Sequence, residues 1–301
     1  MKTVFKAFSI LTAAVLLVAC ADKDEPVKAP TGSGDKETTT TPSQNEFKIK
    51  AISFNIKYPS SSDTGVKAWD NRKKGIIEML KTKNPDIVGL QECYISQRNY
   101  IVENLPQYET YGLVRNNGKT EGSGETMSVL WNKERFEMLD CGTFWLSETP
   151  DTPSKGWGAA NYRDCTWVLL KEKISGKRFF HFNTHLDHQV EKAKTEGAKL
   201  IRSRMKSING FKYPVILTGD MNAEQESDVC ALFEMSNART STRDTDSGIT
   251  CHGYGSKTQV IDHIFFEGLT IKSFRTVTGP WATYQYISDH NPVLALFYYK
   301  W

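Results

Sequence analysis

The stretch "VILTGDMN", Val215–Asn222, opens with three large apolar residues and delivers two oxygen-bearing side chains, Asp220 and Asn222, at its far end. The same pattern recurs along the chain. "ISFN" stops at Asn55, "IVGLQE" at Glu92 and "FFHFNTH" at His185. "VIDH" carries Asp262, and "SDHNPVLALF" begins with Asp289 and His290. A pattern set by burial alone has no need of this, because a carboxylate or amide is costly to bury unless it is paired or holds a cation. The set is rich in oxygens, contains two histidines and no cysteine, and so suits a hard cation, Mg2+ or Mn2+, better than Zn2+. Oxygen-bound Mg2+ points in turn to phosphate chemistry.

Outward from these runs, strands and helices alternate. "FKIKAISFNIKY", "PDIVGLQE", "TMSVLWN" and "FEMLDCGTFWLS" read as strands, and "CTWVLLKEK" with "RFFHFNTHL" reads as a hairpin turning at "ISGK". "PVILTGD", "VIDHIFF", "LTIKSF" and "PVLALFYY" complete a strand-rich second half. "WDNRKKGIIEMLKTKN" sets Trp69, Ile76, Ile77 and Leu80 on one helical face, and "QVEKAKTEGAKLIRSRMKSI" is a basic helix whose charges read as a solvated face. Hairpins mixed with helices imply α/β layers rather than an all-parallel sheet.

The N-terminal end has a different texture. Lys2 and Lys6 precede an uncharged run, Ala7 to Ala19, that is too short to span a bilayer and stops at Cys20. "LVAC" resembles a bacterial lipobox. The expectation is a lipoprotein signal peptide over 1–19, a lipid on Cys20 and a location in the cell envelope, on the periplasmic side or the outer surface. Residues 20–46 are polar and rich in Pro, Gly, Ser and Thr, as expected of a disordered tether. Residues 47–301 then form one domain, long enough for a single large core. Removing the leader takes away two lysines and no acid, so the formal charge falls from +3 to +1. No bulk field steers such a protein to a polyanion, and nucleic acid is not the favoured partner. The five remaining cysteines, Cys93, Cys141, Cys165, Cys230 and Cys251, form no C-x-x-C pair and are expected to be mostly buried free thiols. A monomer is expected.

Taken in order, Asn55, Glu92, His185, Asp220-x-Asn222, Asp262 and Asp289-His290 resemble the endonuclease/exonuclease/phosphatase superfamily, across essentially all of the chain after the tether. The "GWGAANYRDCTW" and "NTHLDH" stretches are similar to a secreted bacterial branch of it. The resemblance implies a four-layer α/β sandwich of two packed mixed β-sheets flanked by helices, with the site where strand ends converge. It implies that Glu92 is the principal metal carboxylate, that Asn55 helps hold metal or phosphate, and that Asp289 binds metal or supports it. Asp220 and Asn222 would orient water and phosphoryl oxygens, Asp262 would fix His290, His290 would face the scissile phosphate, and His185 would donate to a phosphate oxygen. Lys57 stands where some nucleases of the family carry an acid, which weakens a close analogy to abasic-site enzymes. Arg163 is a candidate phosphate ligand because a guanidinium matches phosphate geometry, and Arg72 is weighed equally with it. Of the cluster "HFNTHLDHQ", His185 is taken as the chemical residue and His181 as structural, with Asp187 and His188 left open. His252 is taken as an exposed loop residue. The function implied is a Mg2+- or Mn2+-dependent phosphodiesterase or phosphatase. A secreted Mg2+-dependent nuclease is the alternative, and a catalytically idle surface-binding module is the alternative of another class.

Overall fold

The computed structural model describes residues 45–210, 212–279, 281 and 283–301. The signal peptide, Cys20 and nearly all of the expected tether lie outside the described residues. The chain runs β1 (Glu46–Asn55), α1 (Trp69–Lys83), β2 (Ile87–Gln91), β3 (Cys93–Tyr94), α2 (Ile95–Asn104), β4 (Tyr108–Tyr111), β5 (Glu125–Thr126), β6 (Val129–Asn132), β7 (Phe136–Trp145), β8 (Asp164–Glu172), β9 (Arg178–His185), α3 (Glu191–Asn209), β10 (Val215–Asp220), α4 (Asp228–Ala231), β11 (Ser236–Asn237), β12 (Asp262–Glu267), β13 (Thr270–Thr276) and β14 (Val293–Lys300). The first strand takes in Glu46, which pairs with Lys300, so the fold starts one residue earlier than composition suggested. Composition marks the end of a polar stretch, whereas the ladder needs only backbone.

Two six-stranded sheets carry the fold, in the orders β13-β14-β1-β2-β6-β4 and β11-β12-β10-β9-β8-β7. Each is mixed. The parallel pairs are β1 with β2 and β9 with β10, and the other pairings are antiparallel. Side-chain alternation sorts each strand between two faces. On β1, Ile52 and Phe54 pack outward under α1 with Ile76, Met79 and Leu80. Ile49 and Ala51 point inward, against Phe179 of β9 and Ile216 of β10. Phe180, Phe182 and Leu217 on the second sheet's outer face meet Ala198, Ile201 and Met205 of α3. Three apolar layers thus separate four structural layers, which is the sandwich expected. Each fully buried Phe or Ile in them contributes about 2 kcal/mol.

The central layer changes character along its length. Its inward residues run Ile49, Ala51, Ser53, Asn55 on β1; Phe179, His181, Asn183, His185 on β9; and Ile216, Thr218, Asp220 on β10, all of them buried. Apolar packing gives way to neutral polar groups and then to ionisable ones, all toward the C-terminal ends of the two parallel pairs. That is where ligand sites gather in α/β folds. Midway, Asn183 Nδ2 donates to the carbonyls of Leu90 (2.8 Å) and Ser128 (3.1 Å), while its Oδ1 accepts from Gln91 (2.7 Å) and Thr218 (3.0 Å). This clasp draws the sheets close enough that a Cβ on Gly89 would lie 2.0 Å from Thr218 Oγ1. Only glycine fits there.

Candidate active site

Register brings three ionisable groups side by side. Asp220 on β10 is the direct partner of His185 on β9 and of Asp262 on β12. Asp220 Oδ2 accepts from Asn55 Nδ2 (3.0 Å) and lies 3.5 Å from His185 Nε2 and 3.9 Å from His290 Nε2. His290 Nδ1 donates to Asp262 Oδ2 at 2.8 Å. The result is a line, Asp262–His290–Asp220, entirely buried from the protein's own side. Burial opposes a charge on His290, but the Asp262 carboxylate outweighs it, with Asp220 adding to the effect, and the imidazole's pKa is raised well above 6.5. Burial, together with repulsion from Asp262, lifts Asp220 to about 7. A cation next to a carboxyl group poised near neutrality is a pairing that can move a proton.

His185 is set up in the opposite way. Burial, reinforced by Arg163 and Arg115, holds its pKa well below 6.5, so it is neutral. Asn222 Nδ2 donates both to the Leu186 carbonyl (3.1 Å) and to His185 Nε2 (2.9 Å). The carbonyl fixes the amide's orientation, which makes Nε2 an acceptor and places the proton on Nδ1. That Nδ1–H has no partner among the described residues.

The metal-type oxygens lie across the cavity. Glu92 Oε1 accepts from Asn55 Nδ2 (3.1 Å), and its Oε2 lies 3.8 Å from Lys57 Nζ. Asp289 Oδ2 is 4.0 Å from the same ammonium. Burial would raise the Glu92 pKa, but Lys57, His290 and Asn55 more than offset it and hold the carboxyl below its ordinary value. The position between Glu92 and Asp289 therefore already attracts positive charge, and the donors are hard oxygens, so the residues fit a divalent ion of the Mg2+ kind. Asn55 bridges Glu92 and Asp220 through its amide nitrogen, and its oxygen is taken by the backbone N–H of Lys57 (3.1 Å). In this geometry it organises two acids rather than offering an oxygen. A separate oxygen and nitrogen cluster, Asp220, Asp262 and His290, has the spacing of a metal site, but the Asp262–His290 hydrogen bond uses one face of it. Glu92, Asn222 and Lys57 all have left-handed backbone, with φ of 54°, 45° and 59°. Each sits just beyond a strand end, and such strain, of order 1 kcal/mol per residue, gathers where a side chain must be aimed.

The two candidate arginines have opposite fates. Arg163 is buried beside the cavity, with Nη2 3.0 Å from His188 Nδ1 and Nε 3.7 Å from Asp187. Its Nε and Nη1 have no hydrogen-bond partner among the described residues, which leaves donors for an anion. Arg72 is not a phosphate ligand. It is fully buried and donates to the carbonyls of Lys67, Ile56, Ile287 and Lys57 at 2.7–3.1 Å. The open residues also resolve. Asp187 accepts from the N–H groups of Ala160, Gln189 and Val190, so it shapes the turn into α3 while backing Arg163. His188 stands at the cavity rim. His181 is buried on Thr218 (2.9 Å), away from the cavity. His252 is half-buried and stacks on Tyr286, with ring centroids 5.6 Å apart, so it is not the exposed loop residue expected. Most basic residues of α3 pair with acids, Lys194 with Glu191, Lys199 with Glu196, Arg202 with Glu234 and Glu267, Arg204 with Asp151 and Lys206 with Glu234. The five described cysteines are free thiols, four of them buried.

The cavity holds about 370 Å³ and is lined by Glu92, His185, Asp220, Asn222, Asp289 and His290 together with Arg163 and Lys57. The sequence profile of the endonuclease/exonuclease/phosphatase family matches residues 52–290, from within β1 to His290 itself. The chain belongs to that family. Solved relatives agree with the fold of this family member. An endonuclease/exonuclease/phosphatase family protein from Bacteroides thetaiotaomicron is 31% identical with a TM-score of 0.79, over 85% of this chain and 99% of that one. A mannosyl-6-phosphatase from the same organism is 31% identical with a TM-score of 0.77, over 83% and 99%. An uncharacterised protein of Acanthamoeba polyphaga mimivirus is 28% identical over 166 residues, and that match takes in 52% of this chain and 60% of the viral protein.

The cavity also includes Asn161, from the "GWGAANYRDCTW" stretch, and Tyr58, Arg115, Glu125 and Lys257, none of which was singled out in the sequence. Arg115 and Glu125 form a two-point ion pair, with both contacts at 2.7 Å. They lie in "VRNNGKTEGSGET", where no apolar run ends in a polar group, and a single sequence carries no signal for them. Another cavity, of about 640 Å³, is larger, but it is lined by Glu224, Arg239 and Asp246 and contains none of the converging strand-end groups.

Proposed function

We propose that the protein is a divalent-metal-dependent hydrolase of phosphate esters that works by in-line attack of water on phosphorus. The observation that carries this reading is the meeting, in one cavity, of Asp220, the Asp262-backed His290, neutral His185 and the Glu92–Asp289 oxygens. Asp220, held near neutrality, orients the attacking water and accepts its proton. His290, a cation fixed by Asp262, faces the charge that builds on the phosphoryl oxygens. Asn222 keeps His185 in the tautomer whose Nδ1–H donates, and Arg163 supplies further N–H groups matched to phosphate. A Mg2+ or Mn2+ held by Glu92 and Asp289 would supply Lewis-acid polarisation of the phosphate.

Monoesters fit the cavity best. Its wall brings the cations of Arg163, Lys57, Lys257 and His290 to one enclosed space, and a monoester dianion carries more charge to neutralise than a diester. The Bacteroides thetaiotaomicron relative described as a mannosyl-6-phosphatase places sugar phosphates first in the panel to be tested. The formal charge of +1 after removal of the leader's two lysines from the +3 chain supports a small substrate over a polyanion. The completeness of the ionisable set supports an enzyme over an idle binding module.

The test is release of phosphate from sugar phosphates, inositol phosphates, nitrophenyl mono- and diesters and single-stranded DNA and RNA, with and without EDTA. Metal-dependent release from a monoester is expected. Cleavage of nucleic acid alone would move the assignment to a nuclease, and no cleavage of any member would remove the enzymatic reading. Lipid attachment at Cys20, and with it a place in the cell envelope and a membrane partner, is proposed from the leader sequence. Incorporation of labelled fatty acid, abolished in Cys20→Ala, checks it.

A further inference from the structure

Lys57 occupies a place that an ordinary strand-end loop would not give it. Its ammonium sits between Glu92 Oε2 (3.8 Å) and Asp289 Oδ2 (4.0 Å) and over the ring of Tyr58, 4.4 Å from the centroid. The side chain is only 20% exposed. Its backbone is fixed from three sides. The N–H donates to Asn55 Oδ1, and the carbonyl accepts from Arg72 Nη2 (3.1 Å) and Gln97 Nε2 (2.9 Å). Arg72 also holds the carbonyls of Ile56 and Ile287, and Ser288 Oγ donates to the Asn55 carbonyl at 2.7 Å. These bonds staple the turn after β1 to the segment that carries Asp289 and His290. Two chain segments more than 200 residues apart in sequence are thereby locked with Lys57 aimed between the two acids.

The charge balance gives that placement a consequence. Four carboxyl groups, Glu92, Asp220, Asp262 and Asp289, converge on this end of the sandwich, with His290 and Lys57 as the cations next to them and Arg163 and Lys257 elsewhere in the wall. Of these cations only the Lys57 ammonium lies between Glu92 and Asp289, the two acids that would hold a divalent ion. One divalent ion on Glu92 and Asp289 has to share their space with the ammonium, and a second would meet the repulsion of both in a partly desolvated site.

We propose that Lys57 is a resident cation that completes the acid cluster and limits the site to a single divalent ion. The proposal rests on the metal-binding part of the function proposed above, and binding stoichiometry separates the two. Mn2+ is titrated into the full chain by calorimetry and by electron paramagnetic resonance of free Mn2+, for wild type, Lys57→Met and Lys57→Asp, with thermal melts to confirm folding. Wild type should bind one Mn2+. Lys57→Met should still bind one, but about tenfold or more tightly, because an opposing charge a few ångströms away has gone. Lys57→Asp, with a third carboxylate in place of the ammonium, should bind two.

Two ions on wild type would overturn the role of Lys57 while leaving the metal site standing, as would an affinity in Lys57→Met within twofold of wild type. Retention of a single ion by folded Lys57→Asp would do the same. Absence of Mn2+ binding by wild type would overturn the metal assignment itself. If Lys57→Asp does not fold, the Lys57→Met affinity decides.

Discussion

Two stretches of the central layer, one register step apart, are built from polar residues and behave differently. The interior stretch, Ser53, Gln91, Asn183, Thr218 and His181, is neutral and hydrogen-bonded to itself and to backbone carbonyls. The edge stretch, Asn55, Glu92, His185, Asp220 and His290, is largely ionisable and borders the cavity; buried atoms without a partner among the described residues occur in both, Gln91 Oε1 and His181 Nδ1 in the first and His185 Nδ1 in the second. β9 shows the contrast within one strand. His181 and His185 share a face, yet burial lowers the first to a pKa of about 3 beside a threonine, while the second stands among charged groups in the cavity wall. Neutral polar groups with partners can be buried to hold two sheets in register, whereas converging charges are tolerated only where a ligand completes them.

Substitutions can break this contrast. The largest effect is expected at the edge, where Asp220→Asn should lower kcat by about 10^3-fold with the melting temperature little changed, and His290→Gln should lower kcat as much and also lower the melting temperature, because the buried Asp262 loses its partner. A loss below tenfold would mean the Asp262–His290–Asp220 line is not the reaction centre. Glu92→Ala should cost about 10^2-fold in rate and cancel the rise in melting temperature that Mn2+ gives wild type. Its melting temperature without metal should be equal or lower, since Lys57 and Asn55 lose the carboxylate they pair with. Differential scanning fluorimetry with and without Mn2+ decides this.

The interior should respond in stability instead. Asn183→Ala removes four hydrogen bonds, while the Ser128 carbonyl keeps the Leu90 N–H, and should cost about 3 kcal/mol in urea unfolding while leaving kcat per folded molecule within a few-fold. A large loss of activity without loss of stability would place Asn183 in the site.

Proton linkage sharpens the same comparison, with opposite signs. His181 is neutral in the fold with a pKa depressed to about 3 from 6.5, so its contribution is full above pH 6.5 and lost as pH falls toward 3. That amounts to about 2 kcal/mol by pH 5. His290 is raised above 6.5, so the stability of its pairing with Asp262 is present below pH 6.5 and lost as pH rises through its folded value. Unfolding free energy measured across pH should show both losses. His181→Gln should reduce the acidic one and Asp262→Asn the alkaline one, and a loss unaffected by its matching variant would refute that half of the account.

Much of the edge was legible in the sequence because each of its acids, amides and histidines interrupts an apolar run, and polar groups at strand ends stand out against burial. Asn55, Glu92, His185, Asp220, Asn222, Asp262, Asp289 and His290 all meet as the motifs suggested. The arginines were not separable. Arg72 and Arg163 look alike in composition, and only the carbonyls that surround the first and the unpaired nitrogens of the second, beside the cavity, tell them apart. Arg115 and Glu125 come from a loop without periodicity, so nothing local points to the cavity they help to line.

The sequence by itself determined which residues face which side of each strand, since alternation is a local property of extended backbone. It therefore determined that the inward series would pass from Ile49 through Ser53 to Asn55, and from Phe179 through Asn183 to His185. Only the tertiary structure decided what those ends would meet. The pairing of β10 with β9 and β12, and the face-to-face approach of the sheets at Gly89, set Asp220 between two histidines. The stapling of the turn after β1 to the segment before β14 likewise put the Lys57 ammonium between Glu92 and Asp289. Those are contacts between residues far apart along the chain, and their energies depend on distances that no local pattern encodes.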